Sequence, residues 1–265
     1  MSKTDRITIS YVGAIAHVAL NRPEKRNALD MAMLEAIVET CETLTNAREI
    51  RAVVLSGAGQ AFCAGLDFMS FAGMLQNPDS LDFQTRTHGN ANLFQQAAMG
   101  WKNLPMPVIA ALHGVAFGGG FQIMLGADIR VATPDTRFSI MEAKWGLVPD
   151  MGGMALMPAL ARQDIIRRLT YTAEVFEADN ALNWGFITEI ADTPLTRALD
   201  IAKHIAARSP DAMRAAKKLI TDTWNAPVDK VLMAESAAQK TVLGQENQRE
   251  AVLANLENRP PDFKD

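Results

Sequence analysis

Twice in this chain a short, wholly apolar run passes straight into a glycine-rich turn: VVLSGAGQAFCAGLD at 53–67 and VIAALHGVAFGGGFQ at 108–122. An apolar run of this length ended by glycine has the pattern of a strand buried on both faces, as in a parallel sheet covered by helices. The flanking segments agree. Residues Ile7 to Leu20 alternate and favour β-branched types around Gly13, which predicts a hairpin. Met33, Leu34, Ile37, Val38, Cys41 and Leu44 recur at spacings of three and four, so Asp30 to Asn46 is predicted to be a helix with one buried stripe. RAVVLSG follows as a strand, and strand, helix, strand in this order suggests a right-handed crossover. The same grammar returns in VIAALHG, in GGGFQIMLGAD as a glycine-initiated helix, and in IRVATP, without a strict sequence repeat.

Between these units, Phe68 to Gln96 is polar and Gln/Asn-rich. It is expected to form a mobile lid or loosely helical segment, with Phe68, Met69, Phe71, Met74 and Leu75 lining a pocket. From Pro194 to the Pro260–Pro261 pair the chain is helix-rich, giving a core at 1–195 and a helical region at 196–265. The composition of the 265 residues, 48% hydrophobic and 21% charged, excludes disordered, collagenous and coiled-coil classes. A net charge of −4 without a Lys/Arg run makes nucleic acid an unexpected partner. The apolar region Val108 to Leu125 is broken by His113, glycines and Gln122, so no membrane span is expected. Cys41 and Cys63 lack metal-ligand spacing and read as free thiols, and no targeting signal is evident; cytoplasm is the expected compartment.

Several chemistries lose their motif. Neither glycine loop spells a dinucleotide fingerprint, no phosphate loop exists, and the nucleophile elbow, H-E-x-x-H and C-x-x-C are missing. What remains is backbone N–H groups and carboxylates. If the two glycine loops converge, their N–H groups make an oxyanion hole; the glycines alone are equally compatible with tight turns and close helix packing. Glu142 opens EAKWGLVPDMGG, in which Gly146 and Pro149 break any helix before Asp150, so both acids could face one cavity. Their neighbours Met141, Trp145, Leu147, Val148 and Met151 are apolar, and burial among them raises a carboxyl pKa toward that of a useful proton shuttle. The alternatives are a helix-start acid and a turn-forming aspartate.

The strings NRPEKRNAL, GAGQAFCAGLD, HGVAFGGGFQIMLGADIRVA and FSIMEAKWGLVPDMGG, in this order, resemble the crotonase superfamily, the enoyl-CoA hydratases and isomerases, over nearly the whole chain. The resemblance implies an α/β spiral of ββα units with a C-terminal helical trimerisation region, as trimer or hexamer. It implies an acyl-CoA substrate, with no metal and no cofactor beyond its coenzyme A moiety. Leu66 and Gly119 would donate N–H groups to the thioester oxygen; Lys25 would meet a CoA phosphate, with Ala28, Ala64 and Leu66 along the pantetheine and adenine path. Phe263 would close a neighbouring subunit's adenine site. Hydratases of this family carry two glutamates, at positions that are Gln122 and Glu142 here. An amide cannot accept a proton from water, which leaves Glu142 with Asp150, a spacing similar to that of dienoyl-CoA isomerases, and Gln122 to orient substrate or water. Double-bond isomerisation is the expected activity, hydration the alternative, and non-catalytic CoA-ester or RNA binding a third. A dehalogenase branch would need a lid histidine, for which His88 is the candidate, while His113 is expected to pack behind the glycine loop.

Overall fold

Alternation along the strands builds one sheet with two buried faces. The computed structural model describes residues 6–70 and 82–265. β1 (Ile7–Val12) and β2 (Ile15–Leu20) form the hairpin around Gly13. β3 (Ala52–Gly57), β4 (Val108–Leu112), β6 (Ile129–Ala132) and β9 (Glu189–Ile190) continue it in parallel, in the order β1-β2-β3-β4-β6-β9. On one face Val18, Leu20, Val53, Leu55, Ala110 and Leu112 join the main core. This core also receives the predicted stripe of α1 (Met31–Asn46), whose N-terminus is capped by Asp30 accepting from Met33 N at 2.8 Å. On the other face Ile15, Ala52, Val54, Ile109, Ala111 and Val131 pack with Ala198 and Ala202 of α7 (Pro194–Ala206). Helix α7 is therefore a layer of the core, and the boundary expected at 195/196 falls inside this helix, near its start at Pro194.

A second, three-stranded sheet holds β5 (Val115–Phe117), β7 (Arg137–Ser139) and β8 (Phe176–Glu177). Cys63 adds an isolated parallel bridge to Ala116, which in turn pairs with Phe138. Three successive turns of chain thus repeat one plan: a strand in the large sheet, a rung in the small one, then helix. They are β3, Cys63 and α2 (Leu93–Asn103); β4, β5 and α3 (Gly119–Leu125); and β6, β7 and the 3-10 turn Glu142–Trp145. This is the expected spiral. Helix α2 starts inside the segment expected to be a lid, behind a reciprocal Asn92–Gln95 cap, and buries Phe94, Ala97, Ala98 and Trp101 at helical spacing.

After α4 (Gly153–Leu156), α5 (Gln163–Thr172) and α6 (Ala178–Trp184), the C-terminal region comprises α8 (Pro210–Thr223), α9 (Val228–Val242) and α10 (Glu246–Leu256). Helix α9 buries no residue and exposes Val228, Leu232 and Met233. Among the described residues no helix is long and apolar enough to cross a membrane. Both cysteines are free and buried, and burial pushes the Cys63 thiol up to about 12.

Candidate active site

The site forms where the small sheet ends. Cys63, Ala116 and Phe138 share one row, and three residues beyond each lie Leu66, Gly119 and Met141, the last followed by Glu142. The first loop is fixed from both sides. Cys63 N donates to Val115 O and Phe117 N to Cys63 O, at 3.0 and 3.1 Å; opposite, Leu29 N donates to Gly65 O at 2.8 Å and Asp67 N to Leu29 O at 2.9 Å. Those last two bonds flank Leu66, so Leu66 directs its own N–H away from Leu29. Gly65 has φ +88°, and a Cβ there would lie 2.7 Å from Phe117 O and 3.7 Å from Gly119 N. Only glycine lets the two loops meet backbone against backbone. Gly118, at φ +50°, donates its N–H to Ser139 O, and Gly119 then opens α3 with an N–H that has no intrahelical acceptor. Among the described residues neither the Leu66 N–H nor the Gly119 N–H meets a backbone acceptor, an arrangement that an anionic oxygen could use.

A cavity of about 360 Å³ opens beside them, walled by Ala64, Gly65, Leu66, Gly118, Gly119, Glu142 and Asp150 together with Phe68, Phe83, Phe94, Met141, Trp145, Leu147, Val148 and Met151. The two acids predicted to share a cavity do share it. Glu142 is buried; its Oε1 accepts from Gln122 Nε2 at 2.6 Å, whereas its buried Oε2 has no hydrogen-bond partner among the described residues. Burial pushes the Glu142 carboxyl above its ordinary range, and the charge of Asp150 adds to the rise. Asp150, more open to solvent, is also raised by desolvation.

Gln122 stands elsewhere than expected. It is 1% exposed, and its Oε1 accepts from Met151 N and Gly153 N, both at 2.9 Å. Rather than reaching into the cavity to orient substrate or water, the amide joins Glu142 to the segment that begins at Asp150. It sets the spacing of the two acids, because one side chain bonds both supports.

The CoA-side residues cluster by backbone. Exposed Lys25 closes the 3-10 turn Pro23–Lys25, outside the cavity wall; its carbonyl accepts from Ala28 N at 3.0 Å, and Ala64 N donates to Arg26 O at 2.9 Å, which docks that turn on the loop carrying Ala64 and Leu66. His113 Nε2 lies 3.0 Å from Gly59 O, behind the first glycine loop as expected. His88 faces Glu42 at 3.7 Å and Thr87 Oγ1 at 2.8 Å, away from the cavity wall, which removes it as the lid histidine. Phe263 is 8% exposed within its own chain, and its carbonyl accepts from Arg51 Nη2 at 2.9 Å. Of the expected pocket residues, Phe68 stacks near Trp145 with centroids 4.4 Å apart, Met69 is exposed, and Phe71, Met74 and Leu75 lie outside the described residues. Phe83 and Phe94, 5.1 Å apart, were not foreseen, since nothing in the polar 68–96 stretch shows which of its aromatic rings turn inward.

Backbone N–H groups beside an apolar cavity that also holds two raised carboxyls are the parts that oxyanion stabilisation and proton transfer require. The chain matches the enoyl-CoA hydratase/isomerase family model over residues 11–265 and belongs to that family, the crotonase superfamily of acyl-CoA enzymes. It is 32% identical over 252 residues to the mitochondrial Delta(3,5)-Delta(2,4)-dienoyl-CoA isomerase of Mus musculus, covering 92% of this chain and 77% of that protein. It is 33% identical over 252 residues to enoyl-CoA hydratase EchA19 of Mycobacterium tuberculosis, covering 93% and 92%. The crystal structure of an enoyl-CoA hydratase from Bacillus anthracis matches with a TM-score of 0.87 at 28% identity, covering 98% of this chain and 99% of that one.

Proposed function

We propose that this enzyme shifts a double bond along an enoyl-CoA or dienoyl-CoA thioester by proton transfer through Glu142 and Asp150. One carboxylate removes a proton from C2, the Leu66 and Gly119 N–H groups hold the charge that moves onto the thioester oxygen, and the other carboxyl delivers a proton at the far end of the conjugated system. The pair ends with its protons exchanged and resets through solvent. The observation that carries this reading is the state of Glu142: Oε1 is held by an amide, Oε2 is buried without a partner among the described residues, and the companion acid on the same cavity is Asp150. A neutral amide at Gln122 removes the second glutamate that water addition uses in the related hydratases. Likeness to a dienoyl-CoA isomerase over most of the chain supports the same reading.

Hydration is the second reading, favoured by likeness to EchA19. Incubation with 2-enoyl-, 3-enoyl- and 3,5-dienoyl-CoA in heavy-oxygen water separates the two by mass spectrometry. A moved double bond without label is expected; labelled 3-hydroxyacyl-CoA as the main product overturns isomerisation. In this reading Lys25 contacts a CoA phosphate, with Ala28, Ala64 and Leu66 along the carrier chain, and the enzyme works in the cytoplasm. Copies associate as trimers or hexamers through the C-terminal helices, for which the exposed Val228, Leu232 and Met233 offer apolar surface; light scattering gives the mass.

A further inference from the structure

Beneath the first glycine loop lies an ionic cluster that the reaction does not use. Arg6, Arg22, Asp30 and Asp67 are each less than one-tenth exposed. Arg22 is its hub: Nη2 lies 2.8 Å from Asp67 Oδ2, while Nη1 donates to Ala28 O at 2.9 Å and lies 3.6 Å from Asp30 Oδ2. Arg22 N donates to Asn27 Oδ1 at 2.8 Å, and Asn27 Nδ2 in turn donates to the carbonyls of Ala58, Ala61 and Phe62 in the loop. Asp67 directly follows Leu66. Its N–H is held by Leu29 O, and its carboxylate by Arg22 and by the Ser70 hydroxyl at 2.8 Å.

We infer that Arg22 is a positioning residue for catalysis: by clamping Asp67 it fixes the peptide that carries the Leu66 N–H and so aims that donor at the substrate's thioester oxygen. The inference rests on the acyl-thioester reading above. The Gly65–Leu66 peptide that carries this N–H is held through Gly65 O by Leu29 N, the next peptide is held at Asp67 N by Leu29 O, and Arg22 anchors the segment from the Asp67 side chain. A planar guanidinium reaches Ala28 O, Asp30 and Asp67 together; a lysine ammonium, a point charge, cannot span all three. A preorganised donor loses its value when its direction drifts, because the gain depends on geometry set before charge develops.

The test uses Arg22→Lys, which keeps the charge, and Asp67→Asn, which keeps the shape. Arg130→Lys serves as a comparison, since Arg130 is equally buried but bonds the Phe186 and Ala127 carbonyls in another part of the core. The probe is para-dimethylaminocinnamoyl-CoA, whose absorption moves to longer wavelength when its thioester oxygen is hydrogen-bonded. Both site variants are expected to fold by circular dichroism and to bind the probe, yet to lose most of the wavelength shift. Their kcat on the active substrate is expected to fall about tenfold to a hundredfold with KM little changed. Arg130→Lys is expected to melt earlier with shift and kcat intact. Parental shift and kcat in either site variant overturns the inference, as does failure of both to fold, which assigns the cluster to the fold alone. Absence of any shift in the parent sinks the acyl-thioester reading itself.

Discussion

Two pairs of acids sit within one loop's reach of each other and behave oppositely. Asp30 and Asp67 are buried, and burial alone would raise them; hydrogen bonds and charge from Arg6 and the Met33 N–H for Asp30, from Ser70 for Asp67, and from Arg22 for both outweigh it and hold the carboxyls low. Glu142 and Asp150 are also raised by desolvation, and among the described residues no cation pairs with them, so they rise. The side-chain chemistry is shared, so the difference lies in the neighbours: cations turn an acid into a fixed strut, and an apolar wall with one amide turns it into a proton carrier. In the proposed reaction the loop that bears Leu66 is thus held by the first pair and faces a substrate handled by the second.

The contrast breaks most visibly in turnover. Glu142→Gln is expected to lower kcat on 3,5-dienoyl-CoA about a thousandfold, and Asp150→Asn by about a hundredfold or more, read by chromatography of the products. The strut pair answers in stability instead. Asp30→Ala leaves Arg6 and Arg22 facing an emptied site, and a loss of about 3–5 kcal/mol is expected in denaturant titrations. That contribution is present above the ordinary aspartate value of 3.8 and fades as pH falls through the depressed native value, so the deficit should shrink in acid.

Gln122→Leu removes the acceptor from Met151 N and Gly153 N and frees Glu142. It is expected to lower kcat by up to about a hundredfold while leaving both acids in place. In the pH profile of kcat/KM, one carboxyl must be ionised and the other protonated. Both limbs are therefore expected above the ordinary carboxyl range, as macroscopic values of the pair, and a profile centred near pH 4 would refute the raised assignment.

The smallest effect is on melting. Glu142 ionises near 4.5 when unfolded and higher when folded, so the fold loses stability as pH rises between the two values. Glu142→Gln escapes that loss and is expected to melt about 2–4 °C higher at neutral pH, with the gain vanishing below pH 4.5.

What could be read from residues alone followed the strength of the local pattern. The hairpin around Gly13, the α1 stripe and the buried strands were legible because period two and period three-and-a-half patterns survive without context. The Glu142 and Asp150 convergence was legible because Gly146 and Pro149 forbid a continuous helix between them. Helix α2 was hidden: its buried stripe depends on Ala97 and Ala98, too small to stand out in a Gln-rich stretch. Helix α7 was visible as a helix but not as a core layer, since small Ala198 and Ala202 reveal their closeness to the sheet only once the sheet exists. The Gln122 amide and the Arg22 clamp join residues 20 to 45 positions apart, and hydrogen-bond partners at that separation leave no periodic trace.

Because Leu66, Gly119 and the Met141–Glu142 pair follow the rungs Cys63, Ala116 and Phe138 on consecutive turns of the spiral, their relative placement is set by those rungs and not by the chain that runs between them. Between the rung at Cys63 and the next strand of the large sheet the chain also contributes Phe68, Phe83 and Phe94 to the cavity wall. Such a layout separates two kinds of heritable change. Exchanging those three rings would reshape the wall and leave the rungs in register, so in the proposed reaction the range of acyl groups accepted could change without rebuilding the chemistry.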